Sequence, residues 1–505
     1  MKREKGAGES PAREAKQNAR MFEIRNGELI RYLGKDAEVT LPDTVKTVAD
    51  GAFRENHALT KVILGRQVTT LQANAFRDCS ELKTVVLPAS LRFIGEDAFH
   101  GCRSLVSFVL PRAVVSIGDG AFRGCRSLSH LVLTEGLEEL GSFAFCDCES
   151  LEAVEIPDTL TVLHRGTFFN CRSLARVAFP EGLKTIGRYC FGSCSALAEV
   201  TLPDGVVYLG SGAFSECSSL QQFRVPPRVR FVGDYAFSRC EQLEQVELPD
   251  SVTYIGVHAF CACQSLAAIT LPRKLERIAP AAFFHCAALK TVEIPDTVRE
   301  IGKRAFAFCT ALESVSLSGK IWAIEEQTFC GCLSLTAIEL PESVTRIGEG
   351  AFSRCIALAE IELSGELRRI GTHAFAECEA LTEISLPSSV EQIGSGAFAD
   401  CTALTTVLFP NRRISTGDML FSGCEALELM VVPDARAWAV RYRVNRWAVP
   451  DTAEVVTRGE LRLGLLLAEL AEPELDETRR QELEEEIRKC RRKLRYHRER
   501  VKSAD

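Results

Sequence analysis

"FRDCSELKTVVLPASLRFIGEDAFHGC", residues 76–102, begins a second copy of itself before the first is finished. Phe76 is followed by Cys79, Leu82 and Pro88; then Ile94, Gly95, Ala98, Phe99 and Cys102 restart the order. From Phe53 to Phe421 a phenylalanine stands at every twenty-third position, seventeen times without an insertion. A leucine follows each by six residues, from Leu59 to Leu427. A cysteine follows by three in sixteen of the seventeen, Asn56 being the departure. A fixed period in this range marks a solenoid, because one unit cannot bury its apolar face without the next.

Within one unit, Leu82, Val85 and Leu87 give L-x-x-V-x-L, the spacing of a leucine-rich repeat whose short strand points alternate residues inward. Pro88 lacks a ladder donor and should close that strand. Leu91 and Ile94 point inward from a second extended segment, and Gly95 is expected to permit the bend after it. Glu96 to Gly101 leaves room for only one helical or 3₁₀ turn. The expected fold is an α/β solenoid: a right-handed leucine-rich-repeat horseshoe or superhelix of about seventeen coils. Its parallel β-sheet is expected on the concave side, with short β and 3₁₀ or helical turns elsewhere and a C-terminal α-helical extension.

The unit "LPDSVTYIGVHAFCACQSLAAIT" (248–270) resembles the BspA-like leucine-rich repeats of bacteria and some protists, over roughly residues 41–433. "FEIRNGELIRYLGKDAEVTLPDTV" (22–45) is similar to the cap strands that precede such arrays. The resemblance implies a curved binding scaffold for adhesion or protein recognition, with no catalytic residues to carry over. The expected organisation is a disordered tail at 1–20, a β cap at 21–45 and the solenoid at 46–433, followed by a C-terminal cap at 434–456 and a helical hairpin or coiled-coil extension at 457–505.

The chain has 505 residues, 46% of them hydrophobic, and a formal charge of -8. No stretch approaches the roughly 18 apolar residues that span a bilayer. The start "MKREKGAGESPAREAKQNAR" has no apolar core of a secretory signal, so the expected location is the cytoplasm, with the cell surface as the alternative. Of the 21 cysteines, sixteen share one phase: Cys79, Cys102, Cys125, Cys148, Cys171, Cys194, Cys217, Cys240, Cys263, Cys286, Cys309, Cys332, Cys355, Cys378, Cys401 and Cys424. Stacked in register, they suit a reduced, buried structural ladder more than disulfides. The pairs Cys146/Cys148, Cys261/Cys263 and Cys330/Cys332 lack the two further ligands a zinc site needs. No metal or cofactor is expected.

Function would have to occupy the outward strand positions. In the column four residues after the repeated leucine, Ile63, Val86, Val109 and Val132 form an apolar stripe. Glu155, Arg224, Glu247, Glu293, Glu339 and Glu362 follow in the same column, with Glu360 and Glu383 in the column beside it. These are the candidate partner-binding residues of the concave sheet. Equally, β-branched residues suit strands and glutamates keep a large sheet soluble. Tyr208, Phe231 and Tyr254 form a second, aromatic stripe on another side, where Phe93 and Trp322 also fall.

Beyond Pro433 the repeat dissolves. "LRLGLLLAEL" (461–470) reads as a helix, and Leu483, Ile487, Cys490, Leu494, His497 and Val501 take the a/d spacing of a second. That spacing fits a homodimer through residues 473–502 or a hairpin folded back on the last coil. "RKCRRKLRYHRER" (488–500) is read as a solvated charged helix, not a nucleic-acid site. Nucleotide-binding, metalloprotease and hydrolase motifs are missing, so no enzyme is expected. The expected function is a scaffold for an unidentified protein partner. Alternatives are an exported BspA-like surface adhesin and a protein that self-assembles through its terminal helices.

Overall fold

The computed structural model describes residues 21–410, 414–432, 448–450, 453–470 and 477–502. The expected tail at 1–20 and most of the expected cap at 434–456 lie outside the described residues. The chain forms two compact units that meet in sequence at Leu266/Ala267.

The first unit opens on a hairpin. Strand β1 (Phe22–Arg25) runs antiparallel to β2 (Glu28–Tyr32) across Asn26 and Gly27, which both have positive φ (53° and 81°). Asn-Gly is the residue pair that such a two-residue turn demands. β2 then pairs in parallel with Thr47–Val48, and Tyr32 stacks on Phe53 at 5.1 Å, so the hairpin closes the end of the aromatic column.

Each coil that follows has three sides. On the first, three-residue strands such as Lys61–Ile63, Thr84–Val86 and Ser107–Val109 expose their outer residues and direct the middle one inward. On the second, two-residue strands such as Phe93–Ile94 and Ser116–Ile117 pair coil to coil in register. Among the described coils, strand pairing is parallel and offset by 23 residues, as with Phe93↔Ser116. The second unit has two such rows of its own, from Arg277–Ile278 to Ser415–Thr416 and from Thr291–Glu293 to Leu429–Val432.

The third side differs from the expected helical turn. Among the described coil residues none is helical. Asn74, Phe76 and Asp78 donate their N–H groups to the carbonyls of Glu96, Ala98 and His100 in the next coil, at 2.7–2.8 Å. Arg77 and Cys79 instead donate back within their own turn, to Asn74 and Phe76. This alternation requires a left-handed residue two before and two after each phenylalanine: Asn74 (54°) and Asp78 (59°) in one coil, Arg304 (58°) and Phe308 (60°) in another. The third side is therefore also a parallel hydrogen-bonded ladder, with backbone strain accepted at non-glycine positions because each such turn is held by its neighbours.

Between the three sides lie the ladders of the core. Phe76 and Phe99 stack at 5.1 Å and 1°, and in the second unit Phe375 and Phe398 stack at 5.5 Å and 2°. In two of the coils where proline is replaced at the end of the first strand, a buried serine takes its place. Ser318 and Ser364 accept from the N–H groups of Lys320 and Glu366, which fixes the same corner.

After the last coil, the strand Glu454–Thr457 pairs in parallel with Leu429–Val432. Helix α1 (Arg458–Leu470) begins at Thr457, whose hydroxyl accepts from the N–H of Glu460 while the Glu460 carboxylate accepts from Thr457 N–H. That reciprocal cap satisfies two otherwise orphaned donors. Helix α2 (Glu477–Lys502) lays Leu483, Ile487 and Cys490 on Leu466 of α1, with Leu494 beside them. The a/d stripe is thus occupied within the chain as a helical hairpin. The side chains of His497 and Val501 lie outside the described residues.

Candidate binding faces of the solenoid

The cysteine ladder comes first, because thiols are the most reactive groups in the chain. Each Sγ lies 3.0–3.3 Å from the carbonyl oxygen of the phenylalanine in the preceding coil. That series runs from Cys79/Phe53 to Cys263/Phe237 and from Cys309/Phe283 to Cys424/Phe398; Cys286 is buried with them. Phe76 O therefore accepts twice, from its own Cys79 N–H and from the Cys102 thiol. A small side chain with a weak donor is what this gap takes. In the first coil Asn56 stands here, and its side-chain oxygen accepts from the N–H groups of Ala58 and Leu59.

Burial pushes the Cys102, Cys125 and Cys332 thiols well above their ordinary range, and Cys79 and Cys309 up to about 12. Thiolate is the reactive form. Of the 21 free cysteines, Cys261 alone is more than marginally exposed. Iodoacetamide at mildly alkaline pH should therefore label Cys261 first and the remaining thiols only after urea unfolding. Fast native labelling at several ladder positions would contradict this packing. Among the described residues no group of three or more His, Cys, Asp or Glu is placed to hold a metal.

On the three-residue face of the first unit, the valine stripe is solvent-facing. Val86 is 44%, Val109 55% and Val132 37% exposed, while Ile63 is half-buried. Val106, 48% exposed and one residue ahead of its strand, widens the stripe from outside the strand columns that the sequence pattern marks. Further along, Glu155, Arg224 and Glu247 are exposed, and Arg224 is paired with Asp204 (2.9 Å) and Glu247 (3.9 Å). A shallow hollow of about 340 Å3 lies there, lined by Glu199, Gln222, Arg224, Gln245 and Glu247 among others. In the second unit, Glu293, Glu339, Glu360, Glu362 and Glu383 are all exposed.

On the two-residue face, Tyr208 and Phe231 are 47% and 57% exposed, and Phe231 meets Tyr254 edge-on at 6.5 Å. Trp322 does not share their phase. It precedes the strand Ala323–Ile324, so Ala323 takes the aromatic position and is buried, while Trp322 is 53% exposed beneath the Arg346 guanidinium at 5.3 Å. No helix among the described residues is long and apolar enough to cross a membrane.

These faces offer ladders of side chains repeated from coil to coil. Among solved structures, the chain is similar to a leucine-rich repeat protein from Bacteroides ovatus, 26% identical with a TM-score of 0.50, covering 85% of this chain and 94% of that one. It is also similar to a T. pallidum leucine rich repeat protein, 34% identical at a TM-score of 0.35 over 38% of this chain and 91% of that one. A leucine rich cell surface protein from Faecalibacterium prausnitzii is 22% identical at a TM-score of 0.35, covering 84% and 93%. No curated protein matches the chain. The BspA type leucine rich repeat region matches in four overlapping stretches, 35–151, 115–244, 230–358 and 322–437. With the 23-residue ladder, the phenylalanine column and these matches in agreement, the chain belongs to the BspA type leucine rich repeat family.

Proposed function

We propose that this protein is a non-enzymatic recognition scaffold that holds a protein partner on the three-residue-strand face of its first unit. The observation that carries this reading is the contiguous exposed stripe of Val86, Val106, Val109 and Val132. Isolated surface valines need no explanation, but a patch spread over adjacent coils keeps apolar area in water that a partner would cover. Glu155 and the polar hollow around Arg224 extend that face toward a more polar rim. Such an arrangement, apolar centre and polar border, suits protein recognition. Twenty-one free thiols fit a reducing compartment, which favours a cytoplasmic scaffold over an exported adhesin.

The test compares affinity capture by the native chain and by a Val86→Glu, Val109→Glu, Val132→Glu variant, with circular dichroism confirming that both are folded. A protein retained by the native chain should be lost from the variant. Recovery of the same proteins in the same amounts would exclude this face as the binding surface.

A further inference from the structure

The second unit carries opposite charge on two of its sides. Its three-residue face exposes Glu293, Glu313, Glu339, Glu360, Glu362 and Glu383, with Lys290 the one cation at the equivalent outward positions among the described residues. None of these six carboxylates has an ion-pair partner among the described residues. The two-residue face instead presents Arg299, Lys320, Arg346, Arg368 and Arg369 around Trp322. Here Arg346 is paired with Glu325 at 2.5 Å, whereas Arg299, Lys320, Arg368 and Arg369 have no ion-pair partner among the described residues. Arg299, Lys320, Trp322 and Glu300 line an open hollow of about 500 Å3.

Register sharpens the contrast. Glu339 stands directly opposite Glu362 in one ladder, and Arg346 directly opposite Arg369 in the other. Like charges opposite one another across strands are unfavourable. Both pairs are contributed by the same two consecutive coils, so each side holds a like-charged doublet at the same level of the array, relieved only on the arginine side by the Arg346–Glu325 pair.

We propose that the second unit binds a second copy of this chain side by side, the glutamate face of one against the arginine and tryptophan face of the next. This goes beyond the recognition reading and uses a different unit. Spacing favours a second copy over a loose acidic peptide. Coils repeat every 4.7–4.9 Å, whereas same-face residues of an extended chain lie about 6.6–6.8 Å apart. Two identical arrays share one repeat, so the carboxylates of Glu339, Glu360 and Glu362 meet the guanidiniums of Arg346, Arg368 and Arg369 without adjustment. Trp322, flat and exposed, supplies the kind of aromatic anchor that dominates interfaces, and the Arg346 stacked on it orients a second fork for a carboxylate. Because the two contacting surfaces differ, the association is head-to-tail and open-ended.

Sedimentation velocity of the full chain in about 20 mM and about 500 mM salt tests this, since screening weakens exposed charge pairs. Two variants accompany the native chain: Glu339→Arg/Glu362→Arg, and Arg368→Glu/Arg369→Glu. All four positions are exposed, so folding should survive, and circular dichroism checks it. The native chain should form a salt-sensitive series of oligomers. Each variant alone should be monomeric, with association weakened at least about tenfold. Their mixture, in low salt, should associate again, because the unaltered arginine face of one fits the unaltered glutamate face of the other. A monomeric native chain overturns the proposal. So does native-like association of either variant, which would assign self-association to another surface such as α2, and so does a mixture that stays monomeric.

Discussion

Phe237→Ala should lower stability by about 3–5 kcal/mol, the range for truncating a fully buried phenylalanine. Phe237 is wholly buried between Phe214 at 6.0 Å and Phe260 at 5.3 Å, with Phe223 meeting it edge-on at 4.6 Å. Removing the ring leaves a void walled by its two column neighbours and by Phe223, all buried and held by their own packing so that they cannot collapse inward. In an array stabilised by nearest-neighbour contacts the damage is local but severs one side from the other. Urea unfolding should therefore show a lower midpoint and a transition split into two steps. Phe93→Ala is the internal control. Phe93 is 43% exposed on the two-residue face, and its loss should change stability by about 0.5 kcal/mol or less, as at other surface sites. Equal midpoints for the two variants would disprove the column.

The period, the strand phases and the thiol ladder were legible because each is a repeated side-chain choice with a direct packing cause. Cys79 and Cys102 recur where a gap beside a carbonyl takes only a small donor, and the text shows it coil after coil. The left-handed pairs were not legible. Asn, Asp and Gly do occur there, at Asn74, Asp97 and Gly120, but so do Phe143, Tyr189, Arg304 and Met419. Those residues have no local preference for positive φ. Their conformation is imposed by hydrogen bonds to the next coil, a tertiary effect that single-coil reading cannot reach. Neutral-looking gaps turn out to be accommodation: Phe143 and Tyr189 lean over Gly166 and Gly212 of the following coils, whose missing side chains leave them room.

The candidate faces divide in the same way. Val86, Val109 and Val132 followed from alternation along the strand. Val106 did not, because it precedes its strand, and Trp322 was misplaced by one residue for the same reason. The opposition of Glu339 with Glu362 and of Arg346 with Arg369 was implicit in the period. Its meaning required knowing that the two columns lie on different sides of the coil.

Gly118→Val should be destabilising by about 1–3 kcal/mol or somewhat more, as expected for forcing atoms into a filled space. The sequence alone suggests that glycine after the buried isoleucine serves a bend. Its backbone conformation, however, is not one that only glycine adopts. A β-carbon at Gly118 would meet the Glu96 nitrogen at 2.6 Å, the Gly95 carbonyl carbon at 2.8 Å and the Glu96 α-carbon at 3.1 Å. All three are backbone atoms of the preceding coil, fixed by the ladder that includes the Gly118 N–H to Ile94 carbonyl bond of 2.8 Å. They cannot turn aside as a flexible side chain would, so relief requires parting two coils. Gly319 provides the contrast. A β-carbon there has no neighbour within 4 Å. Gly319→Ala should therefore leave the fold intact and raise stability by about 0.4–1 kcal/mol through a less flexible unfolded chain. Thermal or urea denaturation of both variants decides the matter. Similar effects at Gly118 and Gly319 would mean that glycine is retained for backbone freedom; opposite signs would mean that it is retained because adjacent coils touch through it.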